Sequence, residues 1–258
     1  MDPSSARCPV DEPDAEALAS MERDGFLCRP EFLSKPRMLN LCQWVEEVMA
    51  MPERSGGHWI YHEESRSRPG VRLVQRIERF CDVHPALDDF VRNGELARWA
   101  ASLLGGPATL FKEKINLKLP GGGGFEAHQD QQAGWGRYAP RFVTAVLAID
   151  AAPIESGCLE MEAGRHCDGL IGQEWKALDP ALLRLRPFPM QPGDAIFLDS
   201  FAPHASAPNV TSKPRRILYL TYNLASHGDQ RLRYYRDKHA SFPPDIDRDP
   251  SKTYKFRV

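Results

Sequence analysis

The sequence of 258 residues lacks any long apolar run and any strong excess of charge. No stretch approaches the roughly 20 consecutive apolar residues that span a bilayer, so we expect no membrane partner. With 33 Lys and Arg residues against 35 Asp and Glu residues, the formal net charge is −2. A chain so close to neutrality has no overall basic field, and we therefore expect no nucleic-acid partner.

Signals for secretion and for structural zinc are also missing. The acid-rich N-terminal region has neither the basic nor the apolar segment of a secretory signal, which predicts a cytoplasmic protein. The six cysteines are scattered and form no Cys-x-x-Cys pair. This distribution favours reduced thiols over disulfides and over a cysteine-bound zinc ion.

What the chain does contain is a change of pattern along its length. Residues 1–105 are mainly helical in periodicity, whereas residues 106–228 form short β-like runs separated by Gly, Pro and Asp. Segment 55–70 is polar and carries aromatic residues, which predicts a loop or lid, and segment 229–258 is a polar tail expected to pack over the strands. Helices followed by strands predict one α+β domain spanning residues 1–258, with a sandwich or barrel of strands. The predicted strands of this core are 108–119, 141–149, 158–162, 194–198 and 216–223.

The most informative motif is His128-Gln129-Asp130, which is followed far along the chain by His204. Two imidazoles and one carboxylate on one face of a metal leave coordination positions open, as suits a non-haem Fe(II) that binds O₂. A structural zinc site would instead close its shell with four ligands, usually including cysteines. The spacing therefore predicts a catalytic metal site.

A polar strand face precedes this motif. Lys114, Asn116 and Lys118 alternate with apolar residues, so they share one face of a predicted strand. Taken alone, the pattern favours lysines that merely face solvent. The nearness of His128 favours a polar cavity instead, and the glycine run at 121–124 is interpreted as a hinge rather than a phosphate-binding loop.

Arg215 follows the second histidine at a short distance in sequence. Its guanidinium group can hold a carboxylate through two parallel hydrogen bonds. A turn at residues 208–209 would make the flanking strands antiparallel neighbours, bringing Arg215 and Ser206 to the same end of a ligand. Without the metal motif, Arg215 and Arg216 would be interpreted as an ordinary surface pair.

Further short motifs occur in a fixed order over most of the chain. They are Arg23-Asp24-Gly25-Phe26, His128-Gln129-Asp130, Glu155-Ser156-Gly157-Cys158-Leu159, Ala163-Gly164-Arg165-His166, Gln191-Pro192-Gly193-Asp194, and His204 with Ser206 and Arg215. A lone His-x-Asp motif is weakly specific, but this ordered set is strongly specific. By these motifs the chain resembles the phytanoyl-CoA dioxygenase family of Fe(II)/2-oxoglutarate-dependent oxygenases. Arg165 stands where family members often have Ser, which affects only the local turn.

The resemblance implies a double-stranded β-helix, which is a cupin-like jelly roll with helices packed on one sheet. It also implies three catalytic iron ligands, which are His128, Asp130 and His204. Arg215 and Ser206 are implied to bind the distal carboxylate of 2-oxoglutarate, and a strand lysine, either Lys114 or Lys118, is implied to help bind the co-substrate. Spacing does not distinguish between the two lysines.

The chemistry of the family implies that 2-oxoglutarate and O₂ fill the open positions, yielding succinate, CO₂ and an oxidised substrate. Hydroxylation of an unactivated C–H bond is the expected outcome. In related halogenases a small residue replaces the carboxylate ligand, so Asp130 argues against halide transfer. Desaturation and ring formation begin with the same hydrogen abstraction and stay open.

For the substrate, the segment from Lys112 to Phe125 resembles that of a bacterial-type subgroup that includes hydroxylases of 2-aminoethylphosphonate and its N-methylated relatives. Lysine, arginine and amide groups suit a phosphonate, and aromatic or acidic groups suit an ammonium. Each aromatic residue alone is more typical of ordinary packing. The predicted substrate-binding residues are Asn116, Gln129, Trp59, Tyr61, Arg76, Trp135 and Tyr138.

Other functions are compatible with parts of the pattern. A natural-product tailoring oxygenase is the main enzymatic alternative, and a jelly-roll protein that binds metal or ligand without turnover is the alternative of another class. A zinc hydrolase with the same three ligands would not call for Ser206 and Arg215. A small-molecule substrate and a monomer or homodimer are expected.

Overall fold

The computed structural model describes residues 12–254 and contains five α-helices and eleven strands over that range. The helices are α1 (Ala15–Asp24), α2 (Lys35–Ala50), α3 (Pro85–Asn93), α4 (Glu95–Leu104) and α5 (Arg231–Ser241). The strands are β1 (Phe26–Arg29), β2 (Trp59–Glu64), β3 (Arg72–Glu78), β4 (Ala108–Lys118), β5 (Phe125–His128), β6 (Val143–Ala148), β7 (Leu159–Met161), β8 (Arg186–Phe188), β9 (Ala195–Asp199), β10 (His204–Ser206) and β11 (Arg215–Leu224).

Two antiparallel sheets form the β core. The large sheet has the strand order β1-β9-β6-β11-β4-β3-β2, and the small sheet has the order β5-β10-β7-β8. Apolar residues from the large sheet, such as Val146 and Ile217, are buried together with Leu159 and Met161 of the small sheet. This two-sheet arrangement is the predicted jelly roll, and it confirms the α+β class.

Helices cover the other face of the large sheet. Ile115 of β4 and Leu218 of β11 are fully buried in one apolar cluster with Trp99 of α4 and Leu41 of α2. Burial of such side chains is the main favourable term in folding. The expectation that helices pack on one sheet is confirmed.

Strand β4 connects this core to the polar interior because its side chains alternate between the two faces. Ile115 and Leu117 point toward the helices. Lys114, Asn116 and Lys118 occupy the alternate positions, so they lie on the opposite face, inside the jelly roll. The predicted polar strand face therefore lines the interior and does not face bulk solvent.

Two predictions about the N-terminal half need correction. Segment 55–70 is not simply a loop or lid, because Trp59–Glu64 forms strand β2 and pairs with β3. Trp59, Ile60 and Tyr61 are buried there, so the aromatic residues of this segment belong to a strand. Strands β1 to β3 also join the large sheet. The N-terminal part that was predicted to be mainly helical therefore supplies strands at both edges of that sheet.

The C-terminal tail packs over the barrel, as expected, but much of it is helical. Arg231 at the start of α5 forms a buried ion pair with Glu113 of β4 and a second ion pair with the exposed Asp82. Lys238, near the end of α5, forms an ion pair with Glu78 of β3. Breaking a buried ion pair by removing one partner costs several kcal/mol, so these contacts fix α5 against the large sheet. The last tail residues, 255–258, lie outside the described residues.

Between residues 12 and 254, no helix is long and apolar enough to cross a membrane. The cysteines in that range, Cys28, Cys42, Cys81, Cys158 and Cys167, are all free thiols. Apolar residues at helical spacing from Asp11, followed by Gly25, predict a first helix. Its first residue, Asp11, and Cys8 lie outside the described residues.

Candidate active site

Two histidines meet where the strands of the small sheet pair. His128 ends β5 and His204 begins β10, and the two residues are direct partners in the antiparallel register. A carbonyl only accepts, so each Nδ1–H donates to a backbone oxygen: His128 to Glu126 at 2.7 Å and His204 to Ala202 at 3.0 Å. This orientation leaves each Nε2 with its lone pair free, as metal ligation requires.

The close approach of the two strands depends on a glycine. A Cβ atom added at Gly124 would lie 2.4 Å from the backbone oxygen of Ser206. Only glycine leaves room for β5 to lie this close to β10. The glycine run interpreted as a hinge therefore includes a position with a packing role next to the histidine pair.

Asp130 completes the group in the turn that follows β5. One ligand atom from each of His128, Asp130 and His204 lies within 4.8 Å of the other two. Burial lowers the pKa of His128 to about 3, so its imidazole is neutral at physiological pH, as a ligand must be. Within residues 12–254 no fourth His, Cys, Asp or Glu joins this group. Three ligands with an open side fit a catalytic Fe(II) site.

A second polar group lies deeper between the sheets. Lys118 Nζ donates to Ser206 Oγ at 2.8 Å and to the backbone oxygen of Gly157 at 3.2 Å, and it also contacts the Ala207 carbonyl. Arg215 Nη2 donates to the same Gly157 oxygen at 2.6 Å. The predicted association of Ser206 with Arg215 is therefore present, and Lys118 links them.

The guanidinium group of Arg215 is only partly satisfied. The side chain is 1% exposed; its Nε and Nη1 atoms are buried and make no close hydrogen bond, and the Tyr219 hydroxyl is a neighbouring acceptor. Buried donors without partners are costly, and two adjacent guanidinium donors match the two oxygens of a carboxylate. The residues present thus fit the distal carboxylate of 2-oxoglutarate.

The route by which Ser206 and Arg215 come together differs from the prediction. Strands β10 and β11 are not antiparallel neighbours, because β10 lies in the small sheet and β11 in the large one. Arg215 pairs instead with Lys118 across the β4–β11 ladder. The segment between β10 and β11 crosses from the small sheet to the large sheet. The hydrogen bonds of Lys118 and Arg215 to the Gly157 oxygen therefore lie between the two sheets.

A cavity of about 850 Å³ opens beside His128 and Asp130. Three lysines line it: Lys112 and Lys114 from β4 and Lys238 from α5. The aromatic side chains in its wall are Phe125, Trp135, Tyr138, Trp175, Tyr234, Phe242 and Tyr254. Such a volume has room for both a co-substrate and a small second molecule.

The three lysines of this cavity differ in whether a carboxylate pairs with them. Lys238 forms an ion pair with the fully buried Glu78, which also pairs with Arg76 at 2.9 Å. Neither Lys112 nor Lys114 has an ion pair with a carboxylate in the described part of the chain. Burial, and then repulsion from Lys112, lower the pKa of Lys114 to about 7. The cavity wall therefore carries two amines that form no close ion pair within residues 12–254, and a bound anion would favour their charged forms.

Comparison with known families supports the same assignment. The family model described as phytanoyl-CoA dioxygenase (PhyH) matches residues 21–217. The chain belongs to the phytanoyl-CoA dioxygenase family. It is an Fe(II)/2-oxoglutarate-dependent dioxygenase, with Fe(II), 2-oxoglutarate and O₂ as its cofactor and co-substrates.

Two relatives of this dioxygenase cover nearly all of it. A methylphosphonate hydroxylase from Gimesia maris is 43% identical over 87% of this chain and 86% of its own length. A 2-aminoethylphosphonate dioxygenase from an uncultured bacterium is 35% identical over 93% of this chain and 92% of its own length. Both matches extend through the strands that carry the metal and carboxylate sites.

Solved structures show the same fold. EctD from S. alaskensis, in complex with 2-oxoglutarate and 5-hydroxyectoine, aligns with a TM-score of 0.72 at 19% identity, covering 86% of this chain and 79% of EctD. The carbocyclase SnoK from nogalamycin biosynthesis aligns with a TM-score of 0.68 at 21% identity, covering 83% and 85%. At such identities the likeness concerns the fold.

The predicted substrate-binding residues of the dioxygenase divide into two groups. Trp135 and Tyr138 line the cavity. Asn116 is not part of the cavity wall; it lies between Lys114 and Lys118 on the inner face of β4, and its Oδ1 is buried without a partner.

The other predicted residues lie outside the cavity wall. The Gln129 amide is fully buried and bonds to the backbone at Gly169, Ile171 and Phe201, so it holds a loop. Tyr61 donates its hydroxyl to the Phe242 carbonyl, and Trp59 packs on Tyr235. Arg76 is engaged with Glu78. The structure therefore places these four side chains outside the lining of this cavity.

Sequence reasoning missed several lining residues. Lys112 continues the alternation of Lys114 and Lys118, and that signal was available. Lys238, Tyr234 and Trp175 come from the tail and from a long connection, where no periodicity points to the site. Only the folded chain brings them to the cavity.

Proposed function

We propose that this dioxygenase hydroxylates a C–H bond of a small phosphonate, of the methylphosphonate or 2-aminoethylphosphonate kind. The observation that carries the proposal is the presence of Lys112 and Lys114 in the cavity wall without carboxylate partners. Burying an ammonium group is costly unless an anion compensates it. A phosphonate can carry two negative charges, and it offers three acceptor oxygens to such groups.

The substrate activities of the relatives support the same class. The two proteins at 43% and 35% identity are named for methylphosphonate and 2-aminoethylphosphonate. Trp135, Tyr138 and Tyr234 supply an aromatic wall that keeps water from the reacting carbon. The same rings can accept an ammonium group of an aminoalkyl chain.

We assign the co-substrate roles as follows. His128, Asp130 and His204 hold the iron, which when bound supplies the activation of O₂ that C–H oxidation requires. Arg215, Ser206 and Lys118 hold the distal carboxylate of 2-oxoglutarate. Lys114 faces the cavity, which leaves Lys118 as the lysine that contacts the co-substrate. Because Asp130 occupies the carboxylate position, hydroxylation is favoured over halide transfer.

Succinate formation tests the substrate class. Each phosphonate is compared with its carboxylate analogue, methylphosphonate with acetate and 2-aminoethylphosphonate with β-alanine, alongside betaines and amino acids. We expect succinate release above the no-substrate control for at least one phosphonate and a hydroxylated product in equal amount. If the phosphonates released no more succinate than the control, the substrate assignment would be abandoned.

Binding of 2-oxoglutarate is expected to take up a proton. Burial, and then the neighbouring Arg215 charge, lower the pKa of Lys118 to about 6, so its amine is mostly neutral at about pH 8. A bound carboxylate raises that pKa, so the lysine gains a proton and affinity falls as pH rises above about 6.

Anaerobic calorimetry of the Fe(II)-loaded enzyme in two buffers of different ionisation enthalpy measures this uptake. The wild-type enzyme is expected to take up close to one proton at about pH 8, and Lys118→Met is expected to take up none. Equal uptake by both proteins would contradict the role of Lys118.

We further propose that the enzyme acts in the cytoplasm as a monomer or homodimer. Cell fractionation and light scattering would test these two statements separately.

A further inference from the structure

Two threonines form a hydrogen-bonded chain that ends at the carboxylate of Asp130. Thr144 Oγ1 lies 3.2 Å from Asp130 Oδ2, and it lies 3.0 Å from Thr221 Oγ1. Thr144 and Thr221 are direct partners across β6 and β11, and they are only 2% and 3% exposed. Two strands of the large sheet thus present adjacent buried hydroxyls to one oxygen of a metal ligand.

The hydrogen bonds in this pair have a fixed direction. An ionised carboxylate only accepts, so Thr144 donates its single proton to Asp130. The contact between the hydroxyls then requires Thr221 to donate to Thr144. The order is Thr221 to Thr144 to Asp130, and each donated proton strengthens the next hydrogen bond.

The hydroxyls are unexpected at these positions from packing alone. The other residues of β6, from Val143 to Ala148, are apolar, and all of them are buried. Valine has nearly the shape of threonine, and it would avoid the cost of burying a hydroxyl. A specific use of the hydroxyls explains why this part of the interior is polar.

We propose that Thr144 and Thr221 are positioning residues that keep Asp130 a one-oxygen ligand. With Oδ2 engaged by Thr144, Oδ1 is the oxygen available to the metal. If bound, an Fe(II) ion held by two imidazoles and one carboxylate oxygen would keep positions open for the 2-oxo acid and for O₂. A second oxygen from Asp130 would take one of those positions. This inference rests on the proposed metal ligands, but it does not depend on the substrate.

The variants Thr144→Val, Thr144→Ser and Thr221→Val test the pair. Thr144→Val is expected to weaken anaerobic Fe(II) binding by the apoprotein about tenfold, as loss of a hydrogen bond to a metal ligand commonly does. Thr144→Ser retains the hydroxyl and is expected to bind Fe(II) as tightly as the wild-type protein. Thr221→Val removes only the outer donor and is expected to cause a smaller loss.

A spectroscopic readout separates positioning from packing. Co(II) replaces Fe(II) in such sites, and its visible absorption weakens as the coordination number rises. With 2-oxo acid bound, Thr144→Val is expected to show a weaker Co(II) spectrum, and its Fe(II) complex is expected to react with O₂ about ten times more slowly. Thr109→Val, on β4, is the control and is expected to leave the Co(II) spectrum and the O₂ reactivity unchanged.

Two results would overturn the proposal. One is a Thr144→Val protein with wild-type metal affinity, Co(II) spectrum and O₂ reactivity. The other is an equal loss in Thr144→Val and Thr144→Ser, which would mean that the methyl group matters and the hydroxyl does not. If Thr144→Val fails to fold, the same measurements are made on Thr221→Val and Thr144→Ser. The proposal then requires a loss in Thr221→Val and wild-type behaviour in Thr144→Ser. Failure of metal binding in the wild-type enzyme would instead refute the ligand assignment.

Discussion

Replacing Lys114 by methionine is expected to lower kcat/KM for the phosphonate substrate about 100-fold. Lys114 lies in the cavity wall beside His128 and Asp130, and no carboxylate pairs with it in the described part of the chain. Removing one partner of a buried, charge-assisted contact costs on the order of 2–5 kcal/mol. Methionine keeps the length of the side chain, so the loss reports the charge.

The measurement is succinate release with increasing phosphonate at saturating 2-oxoglutarate. The dissociation constant of 2-oxoglutarate is expected to stay within about threefold of wild type, because Lys114 lies apart from Arg215. Lys118→Met is the matched control from the same strand face, and it should show the reverse pattern. A Lys114→Met enzyme with unchanged phosphonate kinetics would contradict the proposed anion site.

Replacing Arg215 by methionine is expected to weaken 2-oxoglutarate binding by a factor of about 100 or more. The variant removes a buried guanidinium group whose Nε and Nη1 make no close hydrogen bond with the protein. It also leaves the distal carboxylate desolvated and without its two parallel hydrogen bonds, at a cost of several kcal/mol.

Anaerobic titration of the Fe(II)-loaded variant with 2-oxoglutarate measures the loss. Arg215→Lys keeps the charge without the planar pair of donors, and we expect it to restore only part of the affinity. Arg216→Met is the control, because the neighbouring Arg216 pairs with Asp150 and Glu46 away from the site. Wild-type affinity in Arg215→Met would exclude the assigned carboxylate site.

The sequence predicted the elements whose signal is local. The alternation of polar and apolar residues from Lys114 to Lys118 predicted a strand with one polar face, and β4 has that form. Gly25, which was expected to end the first helix, has a φ of +79° and is the left-handed residue that follows the last residue of α1. The ordered motifs predicted the metal group, and the folded chain brings its three side chains together.

What the sequence did not predict depends on contacts between distant segments. Strand β2 was missed because its stability comes from pairing with β3 and from burial of Trp59 and Tyr61. Lys238 reaches the cavity only because Glu78, far away in sequence, fixes the end of α5. Likewise, Ser206 and Arg215 meet through Lys118 between opposite sheets, and turn propensity alone suggested adjacent strands.

The central claim is that His128, Asp130 and His204 hold an Fe(II) ion that binds 2-oxoglutarate beside a site for an anionic substrate. Anaerobic addition of Fe(II) and 2-oxoglutarate, followed by methylphosphonate or 2-aminoethylphosphonate, tests it in one spectroscopic titration. The account predicts a weak visible charge-transfer band, lost in Asp130→Ala, that shifts when the phosphonate is added. A correctly folded wild-type enzyme that shows no such band with Fe(II) and 2-oxoglutarate would contradict it.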